Sequence, residues 1–566
     1  MKNIRISLIL VLFSILSSFN SFAVFHPTLL SENSISLKDK DKYKIKKAEA
    51  WIKYQSHDYN GALRIYRDLL ETHKEDADLN FLIGRCHLEL QSMEQAIKYF
   101  EIAKKIDSKV NSELSLMLGK AYQFLGDIEK AIEQYNEYKS SLSFKQQPKD
   151  IVNEYINQCV YAKEMMAKPV DVTIKNMGKE INSEYDDAIP SISADGKTFI
   201  FTSRRNDTKG GGIDPNSGMY YDDIYISEFN EENNTWKTAE NIEGDLNTDG
   251  HDACLSISPD GNTIFVYRNI DGVTGSGDIY YSTKRNDDKW SSPKPIGKPV
   301  NSTYFESSAC LSSDGKTLYF ISERQGGLGN ADIWKSTKID KDLWSKPENL
   351  GPVINTIEDE LGVFIHPDGK TLFFTSKGHK TLGGYDVFMS TYENGKWSEP
   401  FNMGYPINTT KDETHFVLST DGKKGYVSSR KDNGMGGIDI YEVDMSRYIY
   451  PVSTENVVSN TTKDTVSIKQ TFKPELSILK GNLIDSESGQ RIESDVDIID
   501  IATGNKQTIS TNEQGEYFVT LKGNKEYNVV VDKKGFKKYE RKVMLPLDLK
   551  KTYTLSQAIV LEKIKE

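Results

Sequence analysis

The chain has 566 residues, and a usual domain size of about 100–200 residues suggests three or four domains. Hydrophobic residues make up 37% and charged residues 27%, which is ordinary for a soluble globular protein. The formal net charge of -12 argues against a nucleic-acid-binding protein, because contact with phosphates requires a basic surface.

The first 23 residues have the pattern of a secretory signal peptide. Lys2 and Arg5 precede the apolar run ISLILVLFSIL, and small residues then lead to a cleavage site at Ala23. The run has 11 residues, whereas a membrane-spanning helix needs about 20, so cleavage is favoured over an uncleaved anchor. No Cys lies near the cleavage site, which disfavours a lipoprotein. We therefore expect an exported, periplasmic protein.

Residues 42–168 have helical periodicity and an internal repeat. The residues that recur at offsets of 34 or 35 are Ala62, Ala96 and Ala131, Gly84 and Gly119, and Tyr66, Phe100 and Tyr135. This pattern resembles the tetratricopeptide repeat, in which small residues let two helices approach and aromatic residues fill the groove beside them. The resemblance implies an α-solenoid of three repeats with a capping helix, and a groove for a partner protein. A spacer with an empty groove is the alternative.

From residue 169 to residue 446 the sequence repeats five times. Asp-Gly pairs begin at Asp195, Asp260, Asp314, Asp368 and Asp421, so the gaps between them are 65, 54, 54 and 53 residues. A strand-like run follows each pair, and an Asp-hydrophobic-aromatic triplet then begins at Asp223, Asp278, Asp332, Asp386 and Asp439. The copies continue with Trp236, Trp290, Trp344 and Trp397, and then with Asn247, Asn301, Asn355 and Asn408. About four short strands in each copy predict a five-bladed β-propeller.

The two ends of this region complete each other. The fifth copy has no Trp phrase, but Gly178 and Asn182 of an equivalent phrase precede the first copy. We expect the strand near Ile174 to pair with the strand that ends at Tyr441, because this pairing removes two free edges. The motif PDGKTLFFTS at residues 367–376 resembles the WD-like repeats of TolB-type propellers.

The repeats also contain candidate binding residues. The triplet aspartates either cap backbone amides of the preceding glycine-rich loop or form a ring that binds a cation. Acidic groups precede the first strand of several copies and are expected to make one face acidic: Asp186–Asp187, Glu358–Glu360 and Asp412–Glu413. His251 and His415 either face a central channel or are ordinary strand residues. Cys254 and Cys310 are either buried free thiols or a disulfide between repeats.

Residues 447–473 are polar and are predicted to be a linker, followed by a small β-domain at residues 474–566. Within this β-domain, Asn512–Gly515 forms a predicted hairpin turn, and Tyr517, Val519 and Leu521 alternate into a predicted core. The order of its strand phrases resembles the carboxypeptidase regulatory-like domain, a seven-stranded sandwich of transthyretin shape.

No catalytic motif is found in the sequence. A P-loop, His-Glu-x-x-His, Cys-x-x-Cys and Gly-x-Ser-x-Gly are all missing, so we expect no enzyme, no cofactor and no metal. Which residues bind a partner is not indicated by the sequence. A cryptic hydrolase remains an alternative.

The order of the predicted domains resembles the PorE-like proteins of the type IX secretion and gliding machinery of Bacteroidota. That family continues into an OmpA-like domain that binds peptidoglycan, and this sequence ends at Glu566 without one, which puts direct anchoring in doubt. The resemblance implies a non-enzymatic envelope scaffold whose partners are outer-membrane proteins of the PorP/SprF type or secretion and motility components. A protein that binds a glycan or a peptidoglycan fragment is the alternative.

Overall fold

The computed structural model describes residues 39–142, 149–214, 218–268, 277–285, 287–451 and 469–564. The predicted signal peptide, residues 1–23, lies outside the described residues. Within them, no helix is both long and apolar enough to cross a membrane.

The N-terminal part of the described chain is helical. Its seven helices are α1 Asp39–Gln55, α2 Tyr59–Thr72, α3 Ala77–Glu89, α4 Met93–Ile106, α5 Leu114–Phe124, α6 Ile128–Ser141 and α7 Lys149–Met166. Each helix contacts the next one along the chain, as in a stack of helical hairpins. We refer to residues 39–166 as the helical region.

Local signals explain why these helices begin and pack as they do. Asp76 caps α3, because its side chain accepts a hydrogen bond from the backbone N–H of Leu79 at 3.0 Å. The helices of a pair approach closely at Gly84, where an added Cβ would lie 2.5 Å from the ring of Phe100. The same contact joins Gly119 to the ring of Tyr135, so the predicted packing of small against aromatic residues is confirmed.

Five open sheets follow, which we call the first to fifth sheets and together the sheet region. Strand β1 is Thr173–Asn176. The first sheet contains β2 Asp187–Ile192, β3 Thr198–Ser203, β4 Asp223–Asn230, β5 Thr235–Trp236 and β6 Glu240–Asn241. The second contains β7 Asp252–Ile257, β8 Thr263–Arg268, β9 Asp278–Thr283 and β10 Lys294–Pro295. The third contains β11 Glu306–Leu311, β12 Thr317–Ser322, β13 Asp332–Asp340, β14 Leu343–Trp344 and β15 Glu348–Asn349.

The last two sheets have the same organisation. The fourth contains β16 Glu360–Ile365, β17 Thr371–Ser376, β18 Asp386–Glu393, β19 Lys396–Trp397 and β20 Phe401–Asn402. The fifth contains β21 Glu413–Leu418, β22 Lys424–Ser429 and β23 Asp439–Asp444, and β1 is its fourth strand. Strand β1 pairs antiparallel with β23, with Ile174 opposite Val443 and Asn176 opposite Tyr441. The predicted pairing of these two segments is confirmed.

Two features of the repeat are the same in every sheet. The glycine of each predicted Asp-Gly pair has a positive φ, between 70° and 78°, which a residue with a Cβ adopts at a cost. In addition, one Asn side chain bonds both the N–H and the C=O of the residue that follows the triplet aspartate. These pairs are Asn247 with Ile224, Asn301 with Ile279, Asn355 with Ile333, Asn408 with Val387 and Asn182 with Ile440.

The first strands of the sheets contact one another in a cyclic order. Strand β2 contacts β7, β7 contacts β11, β11 contacts β16, β16 contacts β21, and β21 contacts β2. Apolar clusters fill the spaces between neighbouring sheets; one of them joins Cys310 and Ile321 of the third sheet to Phe374 and Phe388 of the fourth. The four cysteines are buried and free, so Cys254 and Cys310 are thiols and not a disulfide.

The range predicted as a linker has strands at its described ends. Strands β24 Ile449–Pro451 and β25 Lys469–Thr471 pair with each other. Tyr448 and Tyr450 are buried, with Phe472 partly buried beside them, in an apolar cluster with residues of the fourth and fifth sheets. Residues 452–468 lie outside the described residues.

Residues 476–561, the C-terminal region, form two sheets around one core. The strands are β26 Leu476–Asp485, β27 Asp495–Asp500, β28 Lys506–Ser510, β29 Glu516–Lys522, β30 Lys525–Val531, β31 Tyr539–Leu545, β32 Tyr553–Ser556 and β33 Ile559–Leu561. One sheet contains β29, β26, β32 and β33, and the other contains β28, β27, β30 and β31. Tyr517, Val519 and Leu521 are buried in the shared core, as predicted.

The helical region and the C-terminal region contact different loops of the sheet region. The helical region contacts the loops that precede β18 and β21, where Leu382 is fully buried in the helical core and Thr410 donates a hydrogen bond to the carbonyl of Phe124 at 3.1 Å. The C-terminal region contacts the Asp-Gly turns, where Thr520 donates to the carbonyl of Pro367 at 2.7 Å and Lys480 pairs with Asp195 at 3.2 Å.

Candidate functional site

Four residues at equivalent positions of the helical repeats form a row across the stack. Trp51 of α1, Arg85 of α3, Lys120 of α5 and Tyr155 of α7 follow one another at offsets of 34, 35 and 35 residues. Equivalent positions of stacked repeats lie on one face of the stack. We call these four side chains the cation–aromatic row.

The row contains two cation–aromatic pairs, one at each end of the stack. The guanidinium carbon of Arg85 lies 5.5 Å from the centroid of the Trp51 ring and 4.8 Å from that of Tyr54. At the other end, the ammonium of Lys120 lies 5.1 Å from the Tyr155 ring. Contacts of this kind are attractive because the face of an aromatic ring is negative.

The two cations of the row have no carboxylate partner among the described residues. Arg85 donates to the Tyr54 hydroxyl at 3.3 Å, and its Nε is buried without a hydrogen-bond partner in the described structure. Lys120 and Trp51 are exposed, and Trp51 has 40% of its surface accessible. The row therefore presents two positive charges between two aromatic rings, a surface suited to a peptide that carries carboxylates and apolar side chains.

The triplet aspartates have a structural role at four of their five positions. Each accepts a hydrogen bond from a backbone N–H of the glycine-rich loop before it. The pairs are Asp223 with Lys209 at 2.7 Å, Asp332 with Leu328 at 3.1 Å, Asp386 with Leu382 at 2.8 Å and Asp439 with Met435 at 2.6 Å. The capping interpretation is confirmed for these four. The loop before Asp278 lies outside the described residues.

A second set of five acids is buried at the start of the first strands: Asp187, Asp252, Glu306, Glu360 and Glu413. We call them the anchor acids, because each accepts hydrogen bonds from the backbone and hydroxyl of the Ser or Thr four residues earlier. They include the last residue of each acidic group named in the sequence analysis. The expectation of an acidic face is therefore wrong for Asp187, Glu360 and Glu413, while Glu358 is exposed.

Four anchor acids have a cation beside them and one does not. The cations are Arg205 for Asp187 at 3.1 Å, Arg268 for Asp252 at 2.9 Å, Arg324 for Glu306 at 3.1 Å and Lys431 for Glu413 at 3.9 Å. Arg324 lies two residues after the last serine of its strand. In the fourth sheet, the equivalent position is occupied by Gly378. Burial raises the pKa of Glu360 from 4.5 to about 8, and no cation in the described structure opposes this effect.

The candidate histidines do not form a site. His251 lies one residue before its anchor acid and bonds Asp222 at 2.8 Å, and this hydrogen bond raises the pKa of its imidazole. His415 lies two residues after its anchor acid, in β21, where burial lowers the pKa of its imidazole to about 4. The described residues contain no cluster of three His, Cys, Asp or Glu side chains arranged to hold a metal ion.

The sequence comparisons identify one repeat family. Two sequence models described as tetratricopeptide repeat match residues 47–111 and 112–140. Tetratricopeptide repeats therefore occupy residues 47–140, and a β-rich region follows them. Among curated proteins, none matches the chain.

Several solved structures resemble about a quarter of the chain. The Yersinia enterocolitica type III secretion chaperone SycD, in complex with a peptide of the translocator YopD, is 18% identical, with 23% of this chain and 99% of that chain covered and a TM-score of 0.21. The Sgt2 tetratricopeptide domain from Aspergillus fumigatus is 17% identical, with 24% and 88% covered and a TM-score of 0.21. The Arabidopsis OM64 tetratricopeptide domain is 18% identical, with 22% and 97% covered and a TM-score of 0.20.

The sequence pattern did not reveal the cation–aromatic row. Arg85 directly follows Gly84, and Lys120 directly follows Gly119. Both glycines are part of the repeat alignment. The signal was therefore one residue away from positions already aligned. The rule that small residues pack against aromatic residues explains the two glycines and does not predict the neighbouring position.

Proposed function

We propose that this protein is a non-enzymatic scaffold of the cell envelope that binds a partner protein through the cation–aromatic row. The observation that supports the proposal is the pair of cations, Arg85 and Lys120, held between Trp51 and Tyr155 without an ion-pair partner in the described structure. A stack of tetratricopeptide repeats needs no such row for its own packing, which the small and aromatic residues provide.

We infer that the sheet region is a five-bladed β-propeller. The cyclic order of contacts among β2, β7, β11, β16 and β21 supports this inference, as does the pairing of β1 with β23. We also infer that the C-terminal region is a carboxypeptidase regulatory-like sandwich, on the strength of its two sheets around one core. In this arrangement the sheet region lies between the other two regions along the chain and contacts each of them.

The envelope location and the partner class are proposals that depend on the sequence. The N-terminal pattern supports export to the periplasm, and the order of domains supports a role in type IX secretion or gliding. The partner would then be an outer-membrane protein of the PorP/SprF type or another component of that machinery.

A glycan ligand at the centre of the sheet region has less support. The cavity enclosed there by the first strands is lined by Ser191, Cys310 and Phe364, among others, and has a volume of about 20 Å³. That volume is sufficient for about one water molecule and not for a sugar ring.

A charge reversal in the row tests the proposal. Lys120→Glu changes an exposed side chain that contacts the Tyr155 ring, so the fold should remain intact. Lys105→Glu is the matched control, because Lys105 is also exposed on a helix and changes the net charge equally. Cross-linked envelopes should yield one protein partner with the parent and with Lys105→Glu, and at least tenfold less of it with Lys120→Glu. Equal recovery with both variants would exclude the row as the binding surface.

A further inference from the structure

Two loop positions of the sheet region hold the helical region in place. Leu382, four residues before the triplet aspartate of the fourth sheet, is fully buried among helical residues. Thr410, two residues after Asn408, bonds the carbonyl of Phe124. Next to them, the ammonium of Lys411 lies 5.6 Å from the Phe124 ring.

The same two positions between the third and fourth sheets are Leu328 and Ile357. Leu328 lies four residues before Asp332 and donates its N–H to that carboxylate, as Leu382 does to Asp386. Ile357 lies two residues after Asn355, as Thr410 does after Asn408. The two sites therefore occupy equivalent positions of the repeat.

Leu328 and Ile357 are exposed, in contrast to their counterparts. Their accessible fractions are 42% and 80%, which are large for apolar side chains that neighbour each other. Their proximity follows from Gly329, where an added Cβ would lie 2.2 Å from the carbonyl oxygen of Glu358. The repeat thus places two equivalent sites next to each other. The helical region occupies the site of Leu382 and Thr410, and not the site of Leu328 and Ile357.

We propose that Leu328 and Ile357 form a second docking site, which binds an amphipathic helix of a partner protein with a basic residue beside its apolar face. A helical occupant is indicated because the adjoining, equivalent site binds helices and the new site continues that interface. A basic residue is indicated because Glu358 stands where the occupied site has Lys411. Lys380 of the occupied site is likewise replaced by Gly326, where an added Cβ would lie 3.9 Å from the nearest atom, so no lysine side chain fills this position of the new site.

The corresponding site between the fifth and first sheets lacks this character. Met435 is apolar and 45% exposed there, but the position of Ile357 is taken by Glu184, which is exposed and charged. The two positions of this site follow the same repeat pattern, but they do not form an apolar pair. The site therefore serves as an internal control.

The experiment is site-specific photo-cross-linking in cells that make the full chain, with a benzophenone amino acid at position 357 and, as control, at position 184. The expected result is a cross-link from position 357, and not from position 184, to a helix of another protein with a Lys or Arg within one turn of the attachment point. Glu358→Lys should reduce this cross-link at least tenfold. Lys120→Glu should leave it unchanged, so failure at the row and failure at this site are distinguishable.

Several outcomes would overturn the proposal. These are no cross-link above that of position 184, attachment to a second copy of this chain, attachment to residues 1–38 or 452–468 of the same chain, and insensitivity to Glu358→Lys. Leu328→Ser with a benzophenone at 357 provides an independent check, because the exposed side chain is not needed for folding and its loss should weaken the cross-link.

Discussion

The anchor acid without a cation should make the sheet region sensitive to pH. Glu360 is 1% exposed, and burial raises its pKa from 4.5 to about 8. In the unfolded chain this carboxyl loses its proton near its ordinary pKa, while in the folded protein it keeps the proton until near pH 8. The free energy of unfolding should therefore fall as pH rises from about 4.5 to about 8, and should level off above that.

The magnitude follows from the width of that window. Each pH unit corresponds to about 1.4 kcal/mol, so the full effect is at most about 5 kcal/mol. Glu360→Gln keeps the shape of the side chain and its hydrogen bonds from Thr356 and Ser376 but cannot ionise. The variant should match the parent near pH 4.5 and become more stable than it by up to about 1.4 kcal/mol for each pH unit towards pH 8.

Glu306→Gln is the matched control in the third sheet. Glu306 has Arg324 beside it at 3.1 Å, so its removal leaves a buried guanidinium without a carboxylate. This variant should be less stable than the parent at all these pH values, by about 3–5 kcal/mol. Denaturation can be followed by tryptophan fluorescence, because five of the six Trp, all but Trp51, belong to the sheet region. Parallel pH profiles of the parent and Glu360→Gln would refute the reasoning.

Three further substitutions test the packing. Gly84→Val should destabilise the helical region by about 1–3 kcal/mol, because the Cβ of the new side chain would lie 2.5 Å from the Phe100 ring. The melting temperature of the helical region should therefore fall, and an unchanged melting temperature would contradict the close approach. Asn355→Ala should cost about 2–4 kcal/mol in denaturant unfolding, since the N–H and C=O of Ile333 both lose their buried partner; a cost below 0.5 kcal/mol would indicate that water replaces the side chain. Thr520→Val should leave the C-terminal core intact but increase protease cleavage between it and the sheet region, because one buried interregion hydrogen bond is lost; unchanged cleavage would mean that the other contacts suffice.

The repeat architecture could be predicted because its signals are local and periodic. The glycine of each Asp-Gly turn has a positive φ, and each recurring Asn bonds the backbone at the equivalent position. The role of these residues in one copy therefore predicts their role in the other copies. The pairing of β1 with β23 could also be predicted, because the missing phrase of the last copy stands before the first. Tetratricopeptide packing followed from Gly84 and Gly119 in the same way.

The rest depends on contacts between distant parts of the chain. The absence of an Arg at Gly378 is visible in the sequence, but it has a meaning only when Arg324 is known to contact Glu306. His251 lies one residue before its anchor acid and His415 lies two residues after its own, so the two histidines occupy different positions of the repeat once the anchor acids are known. Leu382 is one apolar residue in a polar loop, and nothing local indicates that a helix covers it.

The pairing of β1 with β23 has a consequence for biosynthesis. A chain that is made or exported from its N-terminus produces Thr173–Asn176 long before Asp439–Asp444. During that interval the early segment has no partner, and the fifth sheet cannot form until nearly all of the preceding sheets have emerged. A stop codon shortly before residue 439 would therefore leave β1 without a partner strand, and the exposed edges would favour aggregation of the truncated product.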